Sequence, residues 1–81
     1  MIEHNGTFNE LIDRVEKLGF EADAESVRPI ANGGQQFRTT KGAVVCWWPS
    51  TGTVTFQGNV IEAKRIRNAL RPSQRGLFDV Y

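Results

Sequence analysis

The sequence has few of the residues on which disulfides, metal sites and catalytic triads depend. Its 81 residues include one cysteine, Cys46, and one histidine, His4. A single cysteine excludes an intramolecular disulfide. One cysteine and one histidine are also too few for the usual zinc-ligand sets or for a nucleophile with its base and acid. A Gly-rich phosphate-binding loop is missing as well. We therefore expect no metal, no cofactor, no catalytic residue and no enzyme activity.

Long apolar runs and targeting segments are also absent from the sequence. No stretch approaches the roughly 18 apolar residues of a membrane span. The N-terminal segment MIEHNGTFNE lacks the basic and apolar regions of a signal peptide. These absences predict a protein without membrane contact that resides in the cytoplasm, where chains without disulfides normally occur. The length predicts one small domain.

The net charge is low, at +1, but the two signs are separated along the chain. Residues 1–25 carry seven carboxylates against two cations, whereas residues 60–75 carry five cations against one carboxylate. Such a division orients a nearly neutral protein toward an anionic partner. It is equally typical of two solvated helix faces of opposite sign. The charge pattern alone leaves both interpretations open.

The segment TFNELIDRVEKLGF predicts the first helix. Thr7 and Glu10 have the spacing of a capping box, and Gly19 supplies a left-handed stop. Five apolar residues recur at helical spacing and should face the core: Phe8, Leu11, Ile12, Val15 and Leu18. Two ion pairs with i,i+4 spacing are expected on the outer face, Glu10–Arg14 and Asp13–Lys17.

Three segments rich in β-branched and aromatic residues predict an antiparallel three-stranded meander, and they read QQFRTT, AVVCWW and TVTFQ. Tight-turn sequences separate them. Residues 27–30 allow an extra edge strand, because Pro29 has no N–H to donate to a central strand. Alternation places Trp47 and Trp48 on opposite faces of the sheet. One tryptophan should therefore lie in the core and the other on the open face or beneath the C-terminal tail.

The segment NVIEAKRIRNALR predicts the second helix, which begins after the cap residue Asn59 and ends at Arg71-Pro72. Its apolar stripe consists of Ala63, Ile66, Ala69 and Leu70. Its outward cations are Lys64, Arg65, Arg67 and Arg71. The full prediction is an α+β domain of order αβββα over residues 1–71, with both helices on one face of the sheet, followed by a tail over residues 72–81.

The order helix, meander, helix resembles the double-stranded-RNA-binding domain and the HicA-type mRNA interferase toxins. LIDRVEKLGFE is similar to the toxins' opening helix, and GGQQFRTTKGAVV resembles their Gly-rich turn and following strand. The toxins carry a catalytic histidine on that strand, where this chain has Gln35 and Gln36, which are not acid–base groups near neutral pH. NVIEAKRIRNAL is similar to the basic final helix of the RNA-binding domain. That resemblance implies that Lys64, Arg65 and Arg67 contact the phosphates of a duplex.

The tail contains QRGLF, at residues 74–78, which resembles the short peptide by which bacterial replication and repair proteins bind the DNA sliding clamp. The resemblance implies that Leu77 and Phe78 enter an apolar pocket of the clamp while the Gln74 amide makes oriented hydrogen bonds. In the alternative interpretation, Leu77, Phe78 and Tyr81 cover the open face of the sheet beside a tryptophan. The sequence leaves both arrangements open.

Together these features lead to one main hypothesis and two alternatives. The main hypothesis is a small non-enzymatic bacterial, phage or plasmid protein that binds the sliding clamp through its tail and duplex nucleic acid through its second helix. The first alternative is a protein–protein inhibitor of the anti-defence or antitoxin type, with the tail folded in. The second is a degenerate relative of the HicA toxins.

Overall fold

The computed structural model describes residues 2–70, which form an antiparallel five-stranded sheet with two helices. Along the chain the elements are β1 (Ile2–Glu3), α1 (Phe8–Lys17), β2 (Ala22–Ile30), a 3-10 turn (Ala31–Gly33), β3 (Gly34–Thr39), β4 (Ala43–Trp48), β5 (Thr53–Gly58) and α2 (Val60–Ala69). In space the strands are ordered β1-β5-β4-β3-β2, so α1 connects the two edges of the sheet. The predicted α+β class is confirmed.

The sheet has two more strands than the predicted αβββα order contains. The meander is present as β3, β4 and β5, and the extra edge strand expected at residues 27–30 is part of the longer β2. β1 has no counterpart in the prediction, because a strand of two residues has no readable period. Ile2 and Glu3 of β1 pair with Val54 and Thr53, which are about fifty residues further along the chain.

The ends of α1 form as predicted. The Thr7 hydroxyl accepts a hydrogen bond from the Glu10 backbone N–H at 3.1 Å, and the Glu10 carboxylate accepts from the Thr7 N–H at 2.7 Å. At the other end Gly19 has φ +99°, and Phe20 donates its N–H to the carbonyl of Val15 at 3.3 Å. This is the hydrogen bond that closes a Schellman motif.

Only one of the two ion pairs expected on α1 forms. Lys17 lies 2.9 Å from Asp13, as predicted. The Glu10–Arg14 prediction is wrong, because each side chain has another partner: Glu10 caps the helix at Thr7, and Arg14 bonds the ring of His4. Capping and a tertiary hydrogen bond therefore take precedence over the local i,i+4 pairing.

The core lies between both helices and one face of the sheet. Its largest fully buried side chains are Leu11, Val15, Phe37, Val45 and Ile66. Trp47 is also in this layer, where its ring stacks on Phe8 with 6.0 Å between ring centroids. Trp48 points to the opposite face, as the predicted alternation requires. Both helices thus pack on one side of the sheet, and no helix of residues 2–70 lies on the other side.

The open face of the sheet carries Trp48. The Trp48 indole N–H donates to the carbonyl of Ala31 at 2.9 Å. A Cβ at Gly34 would lie 2.6 Å from that indole nitrogen, so the ring fits here only because residue 34 is glycine. Cys46 is on the same face, and burial raises the pKa of its thiol above the usual value of 9.0. A thiol with a raised pKa is a weak nucleophile near neutral pH.

Candidate nucleic-acid interface

The start of α2 is fixed by a side-chain cap. The Asn59 amide oxygen accepts from the N–H groups of Ile61 and Glu62 at 3.1 and 3.2 Å. The amide nitrogen of Asn59 donates to the Lys41 carbonyl at 2.9 Å, which joins the helix to the turn between β3 and β4. The outward positions of the helix are therefore set from its first turn.

A buried carboxylate also holds α2 against the sheet. Glu62 is 7% exposed, and its carboxylate accepts a short hydrogen bond from the Thr39 hydroxyl. The same hydroxyl oxygen accepts from the Ala43 N–H at 3.0 Å. The apolar stripe predicted for α2 does not include Glu62, because a glutamate in the first turn of a helix is normally exposed to solvent. It is buried because Thr39 supplies a donor from β3.

The three predicted cations that the structure describes, Lys64, Arg65 and Arg67, are all exposed on α2. Lys64 and Arg67 line the same cavity, between α2 and β5. Arg65 lines a different cavity, on the other side of the helix. The predicted set therefore divides into a pair and a single residue. Its fourth member, Arg71, lies outside the described residues.

The cavity beside Lys64 and Arg67 has an apolar floor and a basic rim. Its volume is about 210 Å³, which is below the roughly 300–1,000 Å³ of pockets that hold drug-sized ligands. It is lined by Phe56, Gln57, Gly58, Val60, Ala63, Lys64 and Arg67. A space of this size fits a side chain of a larger partner better than a free small molecule.

The cavity beside Arg65 has mixed charge. It measures about 300 Å³ and is lined by Gly19, Phe20, Glu21, Thr40, Lys41, Glu62 and Arg65. Two carboxylates therefore face two cations, and the Glu21 carboxylate accepts from the Thr40 hydroxyl at 3.2 Å. Because the carboxylates oppose an anion, this side of α2 is the poorer phosphate site.

None of the three cations on α2 has an ion-pair partner among residues 2–70, where the one ion pair is Lys17–Asp13. A phosphate can thus approach Lys64 and Arg67 without first displacing a carboxylate of residues 2–70. Exposed cations of this kind bind nucleic-acid backbones chiefly by releasing condensed counterions, a contribution that weakens as salt rises.

The His4 side chain is buried, and both of its ring nitrogens have hydrogen-bond partners. It is 3% exposed, and its ring packs edge-on against Trp47 with 5.3 Å between centroids. Nε2 lies 2.8 Å from the Thr7 carbonyl, and Nδ1 lies 2.9 Å from an Arg14 guanidinium nitrogen. Because the carbonyl only accepts and the guanidinium only donates, these partners fit the tautomer with hydrogen on Nε2. The His4 carbonyl also accepts from the Trp47 indole at 3.1 Å.

The predicted clamp-binding residues Gln74, Leu77 and Phe78 lie outside the described residues. Leu70 is the last residue that the structure describes; it is 3% exposed and donates its N–H to the Ile66 carbonyl at 3.0 Å. The point from which the tail departs is thus anchored in the core at the end of α2.

The sequence reasoning missed an exposed apolar pair at the start of α2. Val60 is 70% exposed and Ile61 is 69% exposed. The sequence gives one indication of this exposure. Val60 and Ile61 directly follow the cap residue Asn59 and lie outside the apolar stripe, which begins at Ala63. Val60 lines the cavity with the basic rim, whereas Ile61 does not.

Two further searches of residues 2–70 are negative. Neither helix there is long and apolar enough to cross a membrane, and no group of His, Cys, Asp and Glu side chains in that range could hold a metal ion. Comparisons with protein-family models, with curated proteins and with solved structures give no match.

Proposed function

We propose that this protein is a non-enzymatic nucleic-acid-binding protein that docks on the bacterial DNA sliding clamp through its C-terminal peptide. The observation that carries the nucleic-acid part is the pair Lys64 and Arg67, which are exposed on one side of α2 without a described carboxylate partner. The peptide QRGLF carries the clamp part. Both partners place the protein in the cytoplasm.

The chemistry of α2 suits a phosphate backbone. Two or three cations on a rigid helix neutralise two or three phosphates, and each contributes about −0.9 to the slope of log K against log salt on duplex DNA. Such binding is weak and has no sequence preference. The carboxylates of residues 1–25 repel phosphate and so favour an orientation with α2 toward the duplex.

The tail supplies the attachment that this weak contact requires. Burial of Leu77 and Phe78 in an apolar pocket is worth roughly 1.5–3 kcal/mol each before ordering costs, and the upper end of that range for the two together corresponds to a Kd of tens of micromolar. Gln74 follows the anchored Leu70 by four positions, a span of at most about 14 Å in extended chain. A tail held on a DNA-loaded clamp thus keeps α2 close to the duplex, so two weak contacts act together.

The fold proposal that accompanies this function concerns the meander and the two helices. We propose that α1, β3, β4, β5 and α2 form a unit like the double-stranded-RNA-binding domain and the HicA toxins, which β1 and β2 extend at the two edges. In that unit Gln35 and Gln36 occupy the place of the toxins' catalytic histidine, in keeping with a binding protein.

A titration of labelled duplex tests the nucleic-acid part. We expect the protein to bind 20-base-pair RNA or DNA at 50 mM salt and to lose most of that affinity by about 200 mM. Lys64→Gln with Arg67→Gln should abolish binding. Lys17→Gln on α1, which removes one exposed cation beside Asp13, is the control and should bind as the unaltered protein does. Salt-insensitive binding, or an equal effect of the control, would contradict the proposal.

A sizing column tests the clamp part. Purified protein should shift with bacterial sliding clamp, and Leu77→Ala with Phe78→Ala should abolish the shift. Ser73→Ala, in the spacer before the pentapeptide, is the control and should leave the shift unchanged. Absence of binding at tens of micromolar protein would end this part of the proposal and leave the nucleic-acid part to stand alone.

A further inference from the structure

The outer edge of β5 is only partly covered by the chain that the structure describes. β1 pairs with Thr53 and Val54 and reaches no further along the strand. Beyond Val54, from Thr55 to Gly58, β5 pairs with β4 on its inner side, but no described strand lies on its outer side. Backbone donors and acceptors on such an edge are a template for another strand.

The opposite edge of the sheet is protected against that kind of pairing. β2 contains Pro29, which lacks an N–H, and its register against β3 is interrupted between Asp23 and Arg28. At the interruption the Ser26 hydroxyl accepts from the Arg38 N–H at 2.7 Å and so replaces a regular strand contact. Proline, irregular register and charged side chains are the usual protections of an exposed edge.

The edge from Thr55 to Gly58 has none of these protections. Its residues read Thr-Phe-Gln-Gly, without proline, charge or interrupted register against β4. Directly beside it lies the cavity of about 210 Å³ with Phe56, Val60 and Ala63 on its floor. Lys64 and Arg67 stand at the rim of that cavity without a described ion-pair partner.

We propose that the edge of β5 from Thr55 to Gly58 binds an extended acidic segment of a partner protein as an added strand. The backbone of the segment hydrogen-bonds to β5, one of its large apolar side chains fills the cavity, and a carboxylate two residues away reaches Lys64 or Arg67. Alternate residues of a strand share a face, so the apolar and acidic side chains both point toward α2. Strand addition combines backbone affinity with side-chain specificity in this way.

The positive charges beside the β5 edge favour an acidic partner segment over a second copy of the chain. Two copies paired edge to edge would meet through Thr-Phe-Gln-Gly, which contains no carboxylate. Each copy would also bring its own Lys64 and Arg67 to the junction, and like charges there oppose association. A nucleic acid would contact Lys64 and Arg67, but it would not engage the backbone groups of the β5 edge or the apolar residues that line the cavity.

The test titrates an acetylated heptapeptide, Thr-Leu-Thr-Glu-Thr-Leu-Thr, into the full-length protein labelled with ¹⁵N. We expect amide shifts at residues 55–58 and none at the β2 edge, with a Kd of about 0.1–1 mM. A fully N-methylated peptide, which has no backbone donors, should not bind. A peptide with lysine in place of glutamate should bind at least about tenfold more weakly, because it faces two cations.

Two neighbouring residues provide a matched pair of variants. Val60→Glu places a carboxylate at the cavity and should weaken peptide binding about tenfold or more. Ile61→Glu changes the net charge equally at a position of the same exposure that does not line the cavity, so it should have a much smaller effect.

Four outcomes would overturn the proposal. One is the absence of shifts at residues 55–58 at millimolar peptide, and another is equal binding of the N-methylated peptide. The third is a concentration-dependent shift of these amides without peptide, which would identify a second copy as the occupant. The fourth is slow hydrogen exchange of the outward amides of β5 in the isolated monomer, which would identify residues 71–81 of the same chain.

Discussion

The two helices pack into the same core but differ in what they do with their outer faces. On α1 several polar side chains bond within the protein, as Glu10 does with Thr7, Arg14 with His4 and Lys17 with Asp13. On α2 the cations have no ion-pair partner among the described residues, and two apolar side chains of the first turn are exposed. Both helices contribute buried side chains to the core, so burial does not distinguish them. They differ in their outer faces: side chains of α1 bond within the protein, whereas α2 exposes cations and two apolar side chains.

The largest expected effect tests whether both helices are packed into the core. Leu11 on α1 and Ile66 on α2 are both fully buried. Leu11→Ala and Ile66→Ala should each lower the free energy of unfolding by about 2–5 kcal/mol, through lost burial and the cavity left behind. Urea unfolding followed by tryptophan fluorescence measures both. A cost below about 1 kcal/mol for either one would mean that its helix is not part of the cooperative core.

The next effect concerns the buried polar contact that belongs to α2. Thr39→Ala leaves the Glu62 carboxylate without its described donor and the Ala43 N–H without its acceptor. Loss of such buried partners costs about 1–3 kcal/mol. Thr40→Ala next to it is the control, since Thr40 is exposed, and it should cost much less. Equal losses in the two variants would contradict a buried role for Thr39.

The two helix caps should differ in their response to pH. Hydrogen bonds from Thr7, chiefly from its backbone N–H, hold the pKa of Glu10 below the usual 4.5. Because the folded-state pKa is lowered, this contribution to stability is present above about pH 4.5 and is lost as pH falls through the folded-state pKa. Glu10→Gln should therefore destabilise the protein at neutral pH and lose its effect in acid.

The cap of α2 depends on a neutral amide. Asn59→Ala should cost about 1 kcal/mol at both neutral and acid pH, because the Asn59 amide does not titrate. Thermal unfolding of the two cap variants between neutral pH and pH 3 measures the difference. A pH-dependent loss for Asn59→Ala, or a constant loss for Glu10→Gln, would contradict the assignment of the two caps.

The smallest effects concern exposed cations on the two helices. Lys17→Gln removes the exposed pair with Asp13 and should lower stability only slightly, because solvent screens the pair. Lys64→Gln with Arg67→Gln should change stability by less than about 0.5 kcal/mol, since neither has a described partner to lose. The same double variant is expected to abolish duplex binding. A large loss of stability in it would mean that these cations serve the fold.

Much of the local structure is readable from the sequence. The capping box at Thr7, the cap at Asn59 and the stop at Gly19 all form at the predicted residues, and β4 occupies the predicted AVVCWW segment. Each of these signals spans only a few residues, so it needs no knowledge of distant chain. The opposite placement of Trp47 and Trp48 follows from the same local rule, the alternation of side chains along a strand.

The sequence by itself determined where the meander strands and both helices lie, because propensity, capping and periodicity act between near neighbours. Only the tertiary structure decided which segments meet. It paired Ile2 with Val54, buried Glu62 against Thr39 and joined Arg14 to His4. These contacts depend on packing between residues far apart in the chain, and no local pattern specifies them.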